Sequence, residues 1–117
     1  GPMPANLFMA PGDASLEDMI RSTRRGILVT RFHYTNPVHP VRGIITGMTR
    51  DGTWLIENGE IQAAVKNLRF TQELLEAFSA VEAIGRDLVL VSEGFGVSAV
   101  VPALKLGRFN FTGVTEF

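Results

Sequence analysis

The stretch Met48-Thr-Arg-Asp-Gly-Thr-Trp-Leu-Ile-Glu-Asn-Gly-Glu-Ile-Gln-Ala-Ala-Val65 decides how this chain folds. Two turn dipeptides, Asp51-Gly52 and Asn58-Gly59, punctuate a run of strand-forming residues. Both pairs supply residues that tolerate positive φ, as the type I′ hairpin turn requires. Treated as two-residue loops, they fold residues 43–66 into a three-stranded meander whose register follows from the spacing. Glu57 then faces Glu60, Ile56 faces Ile61 and Trp54 faces Ala63 across the second turn. Across the first, Arg50 faces Thr53 and Met48 faces Leu55. Directly opposed residues share a sheet face. Trp54, Ile56, Ile61 and Ala63 therefore line one side, and Met48, Leu55 and Gln62 the other. Both sides are apolar near the middle, which predicts a sheet covered on two faces. Trp54 is expected in the core, beneath the second helix or the C-terminal strand.

Working outward, 117 residues with 45% apolar content fit one domain with one core. The opening Gly1-Pro2 matches a protease-cleavage scar from an expression tag, so residues 1–2 are set aside and 3–117 are read as a single domain. A net charge of −1 gives no electrostatic support for nucleic-acid binding. Cysteine is absent, which excludes a disulfide framework and a thiolate nucleophile or ligand. No apolar run approaches the ~18 residues of a membrane span, and no signal-peptide pattern opens the chain. The expected location is cytoplasmic.

Leu7-Phe8-Met9 predicts a short edge strand ended by Pro11-Gly12. Residues 15–25 form the clearest helical pattern: Ser15 and Asp18 make a capping box, and Leu16, Met19, Ile20 and Thr23 share a face. Ile27 to Tyr34 reads as a strand. The prolines of Thr35-Asn-Pro-Val-His-Pro40 predict a loop, because each lacks an N–H for a ladder. A second helix is expected over 71–79 with Leu74, Leu75 and Phe78 buried; residues 81–85 fit either its last turn or a short strand, and strands follow at 87–92, 97–101 and 104–112. The class is α+β, mainly antiparallel sheet of about seven to nine short strands, because the connections are too short for crossovers.

Candidate chemistry is sparse. His33 and His39 lie six apart across a proline, not at the i, i+4 spacing of a helical zinc site. Glu57 and Glu60 form a like-charge pair at a hairpin tip, tolerable in water. Gly94-Phe-Gly96 has no helix after it to complete a phosphate loop, and no serine sits in a Gly-x-Ser-x-Gly elbow.

The chain nevertheless resembles a known family. Gly52-x-x-x-Ile56-Glu-Asn-Gly59-x-Ile61 followed by Val65-Lys66-Asn67 is similar to the C-terminal domain of the TldD/PmbA proteins, which are metallopeptidase-related and were once called modulators of DNA gyrase. Asn6-Leu7, Pro11-Gly12, Gly26-Ile-Leu-Val-Thr-Arg31, Ala83-Ile-Gly85, Val101-Pro-Ala-Leu-Lys105 and Phe109-Asn-Phe-Thr-Gly113 extend the resemblance in order over residues 6–113. The resemblance implies that active members carry a His-Glu-x-x-x-His zinc motif N-terminal to this region, absent from these 117 residues. It also implies a cysteine ligand in the segment corresponding to Ser92–Gly96, which here reads Ser92-Glu-Gly-Phe-Gly96. Either the parent ligates metal differently or it is the metal-free partner type, and the sequence leaves both open.

The function implied is that of a non-catalytic C-terminal domain that helps form a peptide-accepting cavity and a subunit interface. Its partners would be its own N-terminal metallopeptidase region or a partner subunit, an extended peptide, and a second copy as a homodimer. The alternative is a stand-alone interaction module pairing through sheet edges. No catalytic or metal-binding residue is assigned, zinc is expected only in a complete active member, and the isolated chain is expected to be inactive. Tyr34, Val38, Phe109 and Phe111 are the candidate peptide or interface residues, and Asp51, Gly52, Asn58 and Gly59 the fold-defining turns.

Overall fold

One long hairpin forms the spine of the molecule. The computed structural model describes residues 6–92 and 98–114. In chain order these form β1 (Asn6–Phe8), α1 (Leu16–Arg21), β2 (Arg25–His39), β3 (Ile44–Glu57), β4 (Glu60–Ala64), β5 (Leu68–Glu73), α2 (Leu74–Ser79), β6 (Val81–Ser92), β7 (Ser98–Leu106) and β8 (Phe111–Val114). The α+β class holds: the eight strands fall within the expected range, and among the described residues β1 with β7 is the one parallel strand pair.

Pro40 to Gly43 join β2 to β3, with Gly43 at φ +67° closing the turn. β3 then carries the larger sheet, ordered β2-β3-β5-β8, while β4 also pairs with β3. On the side away from β2, β3 is shared: Ile44–Met48 meet β5 and Trp54–Glu57 meet β4. The gap between them is filled by the crossing chain, where the Val65 N–H donates to the Thr53 carbonyl (2.8 Å) and the Leu68 N–H to Thr49 Oγ1 (2.8 Å). Thr53 Oγ1 in turn donates to Thr49 Oγ1 at 2.7 Å. Thr49 and Thr53 are fully buried with Phe70, so the middle of the core holds satisfied hydroxyls, as burial of polar groups demands.

Asp51-Gly52 makes no hairpin. Both residues lie inside β3, with φ +63° and +120°, where the β2 register slips between Val29 and Arg31. Positive φ serves a bulge as well as a turn, and here the neighbouring strand comes from β2 rather than from residues 43–50. Asn58-Gly59 is a two-residue turn as expected, with Glu57 opposite Glu60 and Ile56 opposite Ile61. A second slip then places Trp54 opposite Ala64 rather than Ala63.

Residues 35–39 are strand, not loop. β2 is an edge strand of the sheet, so its outer side needs no N–H donors, and slips at His33/Asn36 and Pro37/His39 absorb the proline. α1 stops at Arg21, short of residue 25, because Ser22 and Thr23 hydroxyls bond back to the Met19 carbonyl. The Thr23 and Arg24 carbonyls are then taken by the hairpin tip: Gly59 N–H donates to Thr23 (2.9 Å) and Asn58 N–H to Arg24 (2.7 Å). α2 begins at Leu74, since Thr71–Glu73 pair with β3. Its buried residue is Ala77, while Leu75 and Phe78 are exposed. The expected final strand over 104–112 is divided, its start belonging to β7 and its end to β8. Trp54 is 37% exposed, so it is not the core residue that its alternation predicts.

Candidate functional site

Phe109 and Phe111 come together with two residues distant in sequence. Phe109 stacks on Phe32 with ring centroids 5.5 Å apart and lies 5.2 Å from both Phe70 and Phe111; Phe32 meets Phe70 edge-on at 4.8 Å. Phe70 is buried at the base and Phe32 forms the open side. Such clusters contribute ~0.5–1.5 kcal/mol per pair beyond area burial. Phe109 is fixed by its neighbour Asn110, whose backbone N–H donates to Gln72 Oε1 (2.8 Å) and whose Nδ2 donates to the Thr71 carbonyl (2.9 Å). A shallow groove of about 290 Å³ runs beside this clasp, walled by Thr71, Gln72, Glu73, Glu76 and Arg108 to Asn110. Its charged walls are paired, Glu73 with Arg42 (3.2 Å) and Glu76 with Arg108 (3.8 Å).

Tyr34 and Val38 do not join this cluster. They stand exposed on β2, and Tyr34 sits at φ +51° where the register slips, its ring 4.1 Å from that of His33. The two histidines do not form a metal site together. His33 is opposite Met48 with its ring tilted against that of Tyr34, whereas His39 is opposite Ile44 and its Nδ1 accepts from the Arg42 N–H (3.3 Å). Among the described residues no three His, Cys, Asp or Glu side chains converge on a point, so this donor set does not fit a zinc ion. Of Ser92–Gly96, where the resemblance implies a cysteine ligand, residues 93–96 lie outside the described residues. Glu57, besides facing Glu60, has Arg25 as its cross-strand neighbour in β2, which offsets the like-charge pairing at the tip.

The sequence reading missed the smaller sheet as a surface. In the order β1-β7-β6, Phe8, Val100 and Leu90 are cross-strand neighbours on one face and Leu7, Ala99 and Val91 on the other. Phe8 is 68% and Leu90 70% exposed, and Leu7 and Val89 are also exposed. The signal was present in Leu88-Val-Leu-Val91, an apolar run without alternation, which marks a strand made to be covered on both faces. Among the described residues no helix is long and apolar enough to cross a membrane.

Comparison with known proteins gives this architecture a context. The sequence profile of the PmbA/TldA metallopeptidase C-terminal domain matches residues 1–113. A metalloprotease TldD homolog of Buchnera aphidicola is 32% identical over 98 residues, covering 82% of this chain and 20% of that protein. A metalloprotease of Methanocaldococcus jannaschii is 29% identical over 86 residues, covering 74% of this chain and 19% of its own length. Among solved structures, TldE from Thermococcus kodakarensis superposes with a TM-score of 0.77 at 20% identity, over 91% of this chain and 23% of that one. A proposed modulator of DNA gyrase from Bacteroides thetaiotaomicron gives 0.74 at 28% identity, over 92% and 23%. The chain thus spans about a fifth of the length of the curated relatives it matches. Through this near-complete match the chain belongs to the PmbA/TldD metallopeptidase family, as its C-terminal domain.

Proposed function

We propose that this domain is a non-catalytic part of a TldD/PmbA-type metallopeptidase, helping to form a peptide-accepting cavity and the interface with a second subunit. The observation that carries this reading is the small β1-β7-β6 sheet, which exposes Leu7, Phe8, Val89 and Leu90 on its two faces. Apolar area of that kind on a sheet of three strands calls for cover from another region of protein. The curated relatives are about five times longer than the matched segment, so such a region exists in them. The edges of the larger sheet, β2 with Tyr34 and Val38 and β8 beside Phe109 and Phe111, are where an extended peptide would add as a strand. Zinc, in this reading, belongs to the N-terminal region of an active member, and the setting is the cytoplasm.

Isolated domain is expected to cover its apolar sheet by homodimerising. Light scattering across a range of concentrations is the test, with a mass of twice 12.8 kDa expected and reversion to monomer in Leu90→Asp. A constant mass of 12.8 kDa up to high concentration refutes the homodimer. A dimer that survives Leu90→Asp but not Phe109→Asp moves the interface to the β8 edge. A second reading, a stand-alone module that pairs through sheet edges, draws on β6, whose outer side from Asp87 to Ser92 meets no strand among the described residues. A native start codon at Met3, with no upstream His-Glu-x-x-x-His frame, selects it.

A further inference from the structure

Three strands of the larger sheet gather positive charge that is dispersed in the sequence. Arg31 lies directly opposite Arg50, and His33 and Arg69 flank Met48 from either side. Residues paired across strands share a face, so Arg31, His33, Arg50 and Arg69 stand together. Among the described residues the one carboxylate in an ion pair with them is Asp51, 3.1 Å from Arg31. Arg50 and Arg69 are exposed and make no ion pair among the described residues. Met48 is nevertheless buried between them, as expected if long arginine stems lie over it and keep their heads in water. Next in the row beyond Arg69 is Gly113 on β8, which carries no side chain to screen the charge.

Two features make this more than a solvated face. Like charges directly opposed in a sheet disfavour folding, so the Arg31–Arg50 pairing is not a stability device. At the rim, the bulge between His33 and Asn36 holds Tyr34 at φ +51° with its ring on His33 and 63% exposed. Bulges of this kind re-aim side chains beside functional surfaces.

We propose that this face binds an acidic polypeptide segment in extended form. Guanidinium groups pair carboxylates through two parallel hydrogen bonds, which an ammonium cannot do. In an extended chain every second side chain points the same way, ~7 Å apart. Alternate Glu or Asp residues therefore fall within reach of neighbouring arginines, with Tyr34 against the peptide backbone. A nucleic acid fits less well, since duplex binding draws on roughly six to ten phosphate contacts and the chain as a whole is −1. The inference names the class of peptide for the peptide-accepting role proposed above and rests on that role.

The test is fluorescence anisotropy with a labelled decapeptide alternating Glu and Ser, a neutral decapeptide alternating Gln and Ser, and a single-stranded oligonucleotide. Binding of the Glu peptide is expected to weaken roughly tenfold or more in Arg50→Glu/Arg69→Glu and at high salt. It is expected to be unchanged in Arg86→Glu, a position on the other sheet. Replacing Arg50 also relieves the repulsion with Arg31, and Arg50→Gln/Arg69→Gln serves if charge reversal impairs folding. Equal binding of the neutral peptide, unaffected by either double variant, overturns the acidic specificity and leaves the peptide-accepting role standing. Failure of both peptides overturns both, and an oligonucleotide that outcompetes the Glu peptide overturns the choice of ligand.

Discussion

Replacing Gly59 by alanine isolates the contact on which the hairpin tip depends. Gly59 has φ +79°, and a Cβ built there falls 2.5 Å from the Arg21 carbonyl oxygen and 3.2 Å from its carbon. These are backbone atoms at the end of α1, so no side-chain rotation relieves the clash. The left-handed conformation alone costs an L-residue ~1–2 kcal/mol. Displacing the tip also lengthens the Gly59–Thr23 and Asn58–Arg24 hydrogen bonds, at 2.9 and 2.7 Å, and losing one of these costs ~1 kcal/mol. The sum is ~3 kcal/mol, or a fall in Tm of roughly 12 °C for a domain of this size. Gly43→Ala separates the two causes. Its φ of +67° carries the same conformational penalty, but its Cβ meets nothing closer than Leu74 Cβ at 4.0 Å. A loss of only ~1–2 kcal/mol is expected there. Gly113→Ala, with open space around it, is expected to stay within ~0.5 kcal/mol of the parent. Urea denaturation with a constant m-value gives all three. If Gly59→Ala is no more destabilising than Gly43→Ala, the tip does not bear on α1 and the reasoning fails.

Thr49→Val removes the acceptor for the Leu68 N–H in a fully buried position, with an expected loss of ~1–3 kcal/mol. Thr49→Ser is expected to restore most of it, and faster amide exchange at Leu68 in the valine variant is the local readout. Phe70→Ala is expected to cost ~3–5 kcal/mol, the range for a buried aromatic, because Phe70 is the floor of the aromatic cluster. Trp54→Ala is expected to cost less, ~1–2 kcal/mol, because the indole lies partly in solvent beside Gly52. Acrylamide quenching of the single tryptophan checks that directly, and a fully protected indole contradicts it.

What the sequence by itself determined was whatever rests on a few adjacent residues. The Asn58-Gly59 turn, the Glu57–Glu60 and Ile56–Ile61 pairings, the Ser15 cap and the α+β class all follow from local backbone preference and short spacing. The family likeness was legible for the same reason, being carried by short motifs in order. Tertiary structure decided everything that depends on which strand lies beside which. Asp51-Gly52 has the same positive-φ chemistry as Asn58-Gly59, yet it became a bulge because β2 runs alongside β3 for most of its length. Pro37 sits in a strand because that strand is an edge, and edge status is invisible to the residues that hold it. Leu75, Phe78 and Trp54 face outward despite apolar character, because cover is supplied only by whatever packs opposite. The cluster of Phe32, Phe70, Phe109 and Phe111 and the cationic face of Arg31, Arg50 and Arg69 were beyond any window of sequence. Their members lie on different strands or, for Phe109, just ahead of β8, and only strand order and register, set by long-range backbone pairing, bring them together.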